Sequence, residues 1–240
     1  MFKHQSAFTT DHLISNNIMV AFETLPYMRN HSSSNTGYMV LKLDTSKAYD
    51  RVKWRDMEKL MRKMGFKDTW VKFMMEYIST ATYSVLINGE PHGNITPTKG
   101  LCQGNPFSPY LFMLCTEGFH ALLKNAELLG DIKGVSICRS EPRLTHLLFV
   151  DDSLIFCKAK NSECQKPMEI LATYERALRQ QVNRDKTTLF FSKSTTQDMQ
   201  DSIKEANRVP VVQQYEKYLG LPSFIGWKKR RVLTTSSNRC

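Results

Sequence analysis

Residues 147–156 read LLFVDDSLIF, a strand-like apolar run with two adjacent carboxylates, Asp151 and Asp152, at its centre. Asp is common in turns, so a solvated hairpin turn is the first interpretation of the pair. The flanks weaken that interpretation, because residues 144–150 and 154–156 are largely apolar and predict two core strands. Crowded carboxylates repel each other, and one takes up a proton unless a positive charge neutralises them. A divalent cation such as Mg²⁺ does so and keeps coordination positions open for phosphate.

A second acidic site follows another apolar strand. Residues 38–43 (YMVLKL) predict a buried strand that ends at Asp44. A lone carboxylate there is often only a loop or helix-capping group, although functional groups also gather at strand ends. Together, Asp44 and the Asp151–Asp152 pair suffice for a two-metal phosphoryl-transfer centre, to which the protein mainly supplies position and charge.

Strands and helices are mixed along the rest of the chain. Asn88-Gly89 predicts a hairpin within residues 82–98, and Ser108-Pro109 predicts a helix start. Helical periodicity or capping predicts helices over residues 11–28, 49–64, 68–79, 109–129, 161–180 and 195–207, with a short strand at 187–191. No fixed-period repeat is present, and the pattern predicts an α+β domain with a largely antiparallel sheet backed by helices. Met57 and Met61 are interpreted as core fillers, and His146 as a structural residue.

Composition limits the functional classes. Lys and Arg number 33 against 23 Asp and Glu, a net charge of +10, which favours an anionic partner such as nucleic acid. None of the six cysteines forms a C-x-x-C pair, which argues against a zinc site. The chain shows no signal-peptide core and no run of ~18 apolar residues. We therefore expect an intracellular protein with reduced thiols and no membrane association; nucleus and cytoplasm both remain open.

Several segments, taken in order, resemble the central part of a reverse transcriptase from a non-LTR retrotransposon, of the LINE class common in plant genomes. The matching segments are residues 5–8 (QSAF), 41–52 (LKLDTSKAYDRV), 100–112 (GLCQGNPFSPYLF), 149–154 (FVDDSL), 183–186 (NRDK) and 218–227 (YLGLPSFIGW). Each motif alone is weak to moderate, whereas their joint order and spacing make the resemblance specific. It implies a polymerase palm that uses two Mg²⁺ ions, with Mn²⁺ as an alternative, an RNA template, a DNA primer and deoxynucleoside triphosphates.

The resemblance also implies roles for the acidic residues and for one aromatic ring. Asp44 and Asp151 would bind both metals, and Asp152 would complete the catalytic triad. Tyr49 would lie under the incoming sugar, where an aromatic ring leaves no room for a 2′-hydroxyl. From the residues alone, Tyr49 is equally a half-buried core ring at a helix start.

Three further residues are assigned to the nucleotide by the same resemblance. Gln103 and Gly104 would face the nucleotide and template, and a glycine there permits close backbone approach to a ligand. A simple turn before Ser108 is the structural alternative for Gly104. Lys186 would lie near the triphosphate as a charge donor or general acid, although most lysines are surface residues.

The domain organisation expected from these matches has three parts. Residues 1–36 form a lead-in helix and polar loop, residues 37–227 a palm with partial fingers and no thumb, and residues 228–240 a basic disordered tail. Within the palm the chain departs from the usual family pattern at Cys102 (commonly Arg), Asn105 (commonly Asp) and Val150 (commonly Ala).

Two other functions use some of the same residues. A catalytically inactive retroelement remnant would only bind nucleic acid by charge, with salt-sensitive affinity and no template preference. A two-metal nuclease also needs clustered carboxylates, but it does not need Tyr49, Gln103 or Lys186 at these positions. A group II intron maturase shares the palm, and its motif flanks resemble this chain less closely.

Overall fold

Helices and strands follow one another along the chain in a mixed order. The computed structural model describes residues 14–30, 37–44, 49–137, 143–149, 152–178, 182–212, 217–218 and 221–222. The helices in these ranges are α1 (Ile14–Asn30), α2 (Trp54–Lys63), α3 (Asp68–Ser79), α4 (Ser108–Leu128), α5 (Asn161–Leu178) and α6 (Gln197–Asn207). The strands are β1 (Tyr38–Asp44), β2 (Tyr83–Ile87), β3 (Glu90–Ile95), β4 (His146–Phe149), β5 (Asp152–Lys158), β6 (Thr188–Phe191), β7 (Val211–Val212), β8 (Lys217–Tyr218) and β9 (Leu221–Pro222). Not one of the described helices has the length and apolar character needed to cross a membrane.

The central sheet has five strands in the order β4-β5-β1-β6-β7. Neighbouring strands run antiparallel except β6 and β7, which are parallel. β1 pairs with β5 on one side and with β6 on the other, so its backbone is hydrogen bonded along both edges. The predicted antiparallel-rich α+β sheet is therefore confirmed, and β1 is held at its centre.

Alternation along β1 places two separate cores on the two faces of the sheet. Successive residues of a strand point to opposite faces. Leu41 and Leu43 point to one face and join a large buried cluster with side chains of α2 to α6. Val40 instead joins a smaller cluster with Leu25 of α1. Most helices therefore cover one face of the sheet, and α1 covers part of the other.

Met57 and Met61 lie in the larger cluster, and each is 0% exposed. Both side chains are on the inward face of α2, where unbranched thioethers fill irregular space between helix and sheet. Their interpretation as core fillers is confirmed.

The hairpin predicted from Asn88-Gly89 is present between β2 and β3. Both turn residues have positive φ, 52° at Asn88 and 88° at Gly89, which is the conformation that two-residue hairpin turns require. The strand residues of this hairpin are all exposed. The two-stranded ribbon therefore stands apart from the five-stranded sheet, beside the loop that precedes α4.

The helix expected over residues 49–64 begins later, at Trp54. The Tyr49 carbonyl accepts a 2.9 Å hydrogen bond from the Leu101 amide, and the Val52 carbonyl accepts a 2.7 Å bond from the Gly100 amide. These long-range bonds hold residues 49–51 in a turn. Local periodicity carries no information about a partner so distant in sequence, so the predicted helix start was wrong.

His146 is 0% exposed and belongs to a buried polar network. Its Nε2 lies 2.7 Å from Nδ1 of His120, and its Nδ1 lies 2.9 Å from the Thr145 hydroxyl. Thr145 in turn donates to Glu127 at 3.1 Å. Buried polar groups are retained when they are hydrogen bonded, so His146 is structural, as the sequence indicated.

The described cysteines differ in the accessibility of their sulfur atoms, and this leads to a labelling prediction. Cys115, Cys157 and Cys164 are buried, whereas Cys102 is partly exposed. Burial raises the pKa of Cys115 to about 12, and a hydrogen bond with Cys164 together with burial raises the pKa of Cys157. Because the thiolate is the nucleophile, we expect iodoacetamide at neutral pH to label Cys102 in the native chain before any of the other three.

Peptide mapping by mass spectrometry before and after addition of urea checks this expectation. Urea should bring Cys115 and Cys157 to the labelling rate of Cys102. Labelling of native Cys115 as fast as Cys102 would contradict the packing of α4 against the sheet.

Candidate active site

Two carboxylates face each other at one end of the sheet. Asp44 is the last residue of β1, Asp152 is the first residue of β5, and the two are directly paired across the antiparallel ladder. Side chains paired in this way have Cβ atoms about 4.5–5.5 Å apart, and like charges placed directly opposite destabilise a sheet. The side chains are 29% and 27% exposed. The paired carboxylates are thus open to a ligand while their strands are fixed in the core.

A lysine stands beside each carboxylate. Lys42 Nζ lies 3.9 Å from Oδ1 of Asp152, and Lys186 Nζ lies 4.0 Å from Oδ2 of Asp44. Both distances exceed those of charge-assisted hydrogen bonds, which are about 2.7–2.9 Å. The lysines therefore reduce the repulsion between the carboxylates without closing the site by tight ion pairs.

A backbone contact explains the approach of Lys186 to Asp44. The Asn183 amide donates a 2.8 Å hydrogen bond to the Asp44 carbonyl, and the Lys186 and Thr187 amides donate back to the Asn183 carbonyl. The turn before β6 is thereby held against the end of β1. Lys186 remains 68% exposed, so its ammonium group can reach a ligand in solvent.

Asp151 and Val150 lie outside the described residues, as do residues 45–48. The predicted triad is therefore represented by Asp44 and Asp152. Within the described ranges, no three His, Cys, Asp or Glu side chains gather into a metal-binding group. The structure thus brings together Asp44, Asp152 and Lys186 from motifs that are far apart in sequence.

Tyr49 lies beside the loop that carries Gln103 and Gly104. The Tyr49 ring stacks on Phe112 of α4, with centroids 4.9 Å apart and an interplanar angle of 19°, and it packs half-buried against the larger core cluster. Trp54 Nε1 donates a 2.6 Å hydrogen bond to the Gly100 carbonyl. Together with the Leu101 amide bond to Tyr49, this contact fixes the loop next to the Tyr49 turn.

Gln103 and Gly104 occupy an exposed part of this loop. Gly104 has φ +91°, a conformation that side-chain-bearing residues rarely adopt, and nothing lies within 4 Å of where a Cβ would stand. Gln103 lines an open groove of about 590 Å³ together with Asp50, Tyr83 and residues 96–102. The loop therefore offers backbone and an amide side chain to a ligand in this groove.

Two of the departures from the family pattern lie in the same loop. Asn105 Oδ1 accepts hydrogen bonds from the Phe107 amide at 2.9 Å and from the Tyr77 hydroxyl at 3.0 Å. The neutral amide oxygen of Asn105 thus closes the turn before α4 and links it to Tyr77 of α3. Cys102 contacts Tyr83, and its hydrogen bond raises the pKa of the Tyr83 phenol.

No role was predicted from the sequence for Lys42, Asn183 or Trp54. Lys42 is the one charged residue inside the apolar strand before Asp44 and lies two residues from it. That spacing places both side chains on one face of the strand, so Lys42 was open to prediction. The Asn183 and Trp54 contacts involve backbone carbonyls distant in sequence and leave no local signal.

Comparison with known proteins identifies relatives of the chain. The family profile described as "Reverse transcriptase (RNA-dependent DNA polymerase)" matches residues 1–223. An uncharacterized mitochondrial protein of Arabidopsis thaliana is 48% identical over 68 residues, which are 28% of this chain and 56% of that protein. The Pol polyprotein from the type-1 retrotransposable element R2 of Popillia japonica is 27% identical over 129 residues, which are 54% of this chain and 20% of the polyprotein. The expected resemblance to non-LTR retrotransposon proteins is confirmed.

Solved structures show the same fold. Telomerase from Candida albicans, in complex with a fragment of telomeric RNA, superposes with a TM-score of 0.53 at 15% identity, covering 82% of this chain and 32% of telomerase. Telomerase from Candida tropicalis superposes with a TM-score of 0.53 at 13% identity, covering 80% of this chain and 31% of that one. The palm-type fold is confirmed by these matches. The chain thus spans about half the length of the Arabidopsis relative, a fifth of the R2 polyprotein and a third of the telomerases.

The family profile covers far more than half of the 240 residues. Its extent includes both facing carboxylates and the loop beside Tyr49. The chain belongs to the reverse transcriptase (RNA-dependent DNA polymerase) family.

Proposed function

We propose that this chain copies an RNA template into DNA by adding deoxynucleotides to a primer 3′-hydroxyl. The observation that carries the proposal is the direct cross-strand pairing of Asp44 with Asp152. A sheet tolerates such repulsion poorly, so the pair is costly to the fold and serves a ligand that carries positive charge. The RNA bound by the telomerases of the same fold supports a nucleic acid template.

The residues present fit a divalent cation. The reverse transcriptase family generally uses divalent metals, and carboxylate oxygens are the ligands that Mg²⁺ prefers in proteins. Asp44, Asp152 and Asp151 would hold two Mg²⁺ ions, with Mn²⁺ as an alternative. When bound, these ions would lower the pKa of the attacking hydroxyl and stabilise the negative charge on the leaving pyrophosphate.

The remaining residues position the nucleotide. Lys186, whose exposed ammonium group lies beside Asp44, would bind triphosphate oxygens and hold a proton at Nζ for the leaving pyrophosphate. The Tyr49 ring would lie against the sugar of the nucleotide. Its stack on Phe112 would hold the ring in place, so that no space opens for a 2′-hydroxyl. Gln103, which lines the open groove, and the neighbouring Gly104 would contact the base pair.

The direct test is primer extension by the 240-residue chain on an RNA template, with Mg²⁺ and the four deoxynucleotides. We expect a DNA product whose sequence complements the template and which is absent when EDTA is added. A chain that binds template and primer yet extends nothing would overturn the proposal and favour an inactive remnant. Shortening of the primer would favour a nuclease.

Metal binding can be tested without activity. Ligands that bind only the folded state stabilise it, by about 1.4 kcal/mol at ten times the dissociation constant. For a chain of this size that corresponds to about 3–6 °C in melting temperature. We expect Mg²⁺ to raise the melting temperature of the wild-type chain by this amount, and Asp152→Asn to lose most of the increase. Equal increases in both proteins would show that Mg²⁺ binds elsewhere.

Replacing Tyr49 tests sugar selection. Tyr49→Ala removes the ring and opens space for a 2′-hydroxyl, so we expect the preference for deoxynucleotides over ribonucleotides to fall by about 10–100-fold, the range for a pocket contact of this size. Single-nucleotide incorporation kinetics with both substrates measure the ratio. Tyr49→Phe keeps the ring and its stack and should retain the preference; loss of selectivity in Tyr49→Phe would instead implicate the hydroxyl.

A further inference from the structure

The outer face of α2 carries a row of basic side chains. Arg55, Lys59 and Lys63 are spaced four residues apart and are all exposed, so they lie one above another along the helix. We define these three residues as the basic row. Like charges at this spacing destabilise a helix by about 0.2–0.5 kcal/mol per pair. The basic row therefore destabilises α2. Arg55 adds to this effect because it lies in the first turn, near the positive end of the helix dipole.

Acidic neighbours do not neutralise the basic row. In the described part of the chain none of its three members forms an ion pair, and Glu58 of the same helix is paired with Arg62. Arg62 also bonds to Asp68. Glu58 and Asp68 are thus engaged by Arg62, and Asp56 in the first turn of α2 forms no ion pair among the described residues. The row faces solvent with an excess of positive charge.

Exposed aromatic rings continue from the end of the basic row. A turn at Gly65 follows Lys63, and Phe66 then stacks on Trp70 with centroids 4.7 Å apart. Trp70 is 37% exposed, and Phe73, one turn further along α3, is 58% exposed. Large aromatic side chains gain nothing for the fold when they are left in water. The Phe73 ring and the face of Trp70 that Phe66 does not cover are suited to stacking against nucleobases.

This surface lies on the opposite side of the sheet from the facing carboxylates. Met57 and Met61 anchor α2 in the cluster that contains Leu43, whereas Asp44, the next residue of β1, points to the other face. The nucleotides of a strand bound at Asp44 and Asp152 therefore cannot contact the basic row as well. The row and the aromatic rings belong to a second surface.

We propose that the basic row together with Trp70 and Phe73 binds single-stranded nucleic acid outside the polymerising site. The cations contact successive phosphates, and the two rings stack on bases, an arrangement that binds strands without sequence preference. The strand that fits is RNA or DNA that is not paired in the active site, such as template that has yet to be copied. The proposal concerns binding alone and does not depend on polymerisation.

The test compares two triple variants with the same change in charge. One is Arg55→Gln, Lys59→Gln and Lys63→Gln. The control is Lys160→Gln, Lys193→Gln and Lys204→Gln, at exposed lysines outside α2 and α3 that form no ion pair among the described residues. Fluorescence anisotropy measures the affinity for a labelled 20-nucleotide RNA of mixed sequence over a series of salt concentrations. We expect the row variant to lower the slope of log affinity against log salt by about 2, at about 0.7 for each lost phosphate contact. The control should keep the slope within about 0.7 of wild type. Equal slopes in the two variants overturn the proposal.

The aromatic half of the surface has its own test. Trp70→Ala combined with Phe73→Ala should weaken binding by about tenfold or more, because base stacking on one ring contributes about 1–3 kcal/mol. Photo-crosslinking of wild type with RNA that contains 4-thiouridine, followed by peptide mapping, should label the peptide with residues 66–73. Primer extension on a template too short to leave the active site should be unchanged in these variants. Crosslinks found only near residues 44 and 152 contradict the second surface, whatever the polymerase assay shows.

Discussion

Replacing Asp44 with Asn is expected to abolish primer extension and to leave the fold as stable as before. Asn keeps the size of the side chain but removes the negative charge that would hold a divalent ion. An ion at such a site supplies several kcal/mol of transition-state stabilisation, which at 1.36 kcal/mol per factor of ten amounts to a loss of roughly a thousandfold. Asp152→Asn should behave in the same way.

The effect on stability is expected to be small for a different reason. Asp44 and Asp152 are paired across the ladder, so neutralising either one relieves repulsion. The change also weakens the 4.0 Å pair with Lys186, whose side chain is 68% exposed, and exposed ion pairs contribute about 0–1 kcal/mol. The two terms oppose each other, and the melting temperature should stay the same or rise slightly.

The control for this pair of variants is Asp198→Asn, the same substitution at an exposed residue in the first turn of α6. It should retain full primer extension. Thermal melting and steady-state extension rates measure both properties. Near-wild-type extension by Asp44→Asn would contradict the role proposed for Asp44 in the reaction. A fall of more than about 5 °C in its melting temperature would instead indicate a structural role.

Much of the sheet was open to prediction because its pattern is local. In LLFVDDSLIF the apolar arms became β4 and β5, and Asp152 is the first residue of β5. YMVLKL became β1, and the Asn88-Gly89 turn produced its hairpin. Each of these features depends on neighbouring residues in sequence, either as alternating burial or as a backbone conformation that few residues adopt.

The features that were not predicted depend on contacts between distant segments. The register that sets Asp44 opposite Asp152 follows from the whole β1–β5 pairing, and the start of α2 follows from hydrogen bonds to residues 100–101. The parallel strand β7 contains only Val211 and Val212, too few residues for a periodic signal. The roles assigned to Tyr49, Gln103, Gly104 and Lys186 rest on the resemblance and stay predictions.

The same dependence on long-range packing leads to the second large expected effect, which concerns Phe156. This residue of β5 is 0% exposed and lies in the smaller core cluster, between Val40 of β1 and the side chains of α1. Its amide also donates a 2.8 Å hydrogen bond to the Thr145 carbonyl, so the backbone around it is held on both sides and cannot collapse into the space that a smaller side chain leaves.

Phe156→Ala is therefore expected to cost about 3–5 kcal/mol of unfolding free energy. Domains are stabilised by about 5–15 kcal/mol in total, and for a chain of this length the cost corresponds to a fall of about 6–20 °C in melting temperature. Because Asp152 is on the same strand, primer extension should be lost at the temperature at which the variant unfolds and retained below it. That temperature dependence separates Phe156→Ala from Asp44→Asn, which should be inactive at every temperature.

Leu128→Ala provides the matched comparison, since it also removes a large apolar side chain but at a position that is 76% exposed. Surface substitutions of this kind usually change stability by no more than about 0.5 kcal/mol. Urea denaturation of the two variants should give a lower midpoint for Phe156→Ala alone. If the two midpoints were equal, Phe156 would not be in a close-packed core, and the smaller core cluster between α1 and the sheet would be loosely packed. The strand that carries Asp152 would then lack the rigidity that a fixed pair of carboxylates requires.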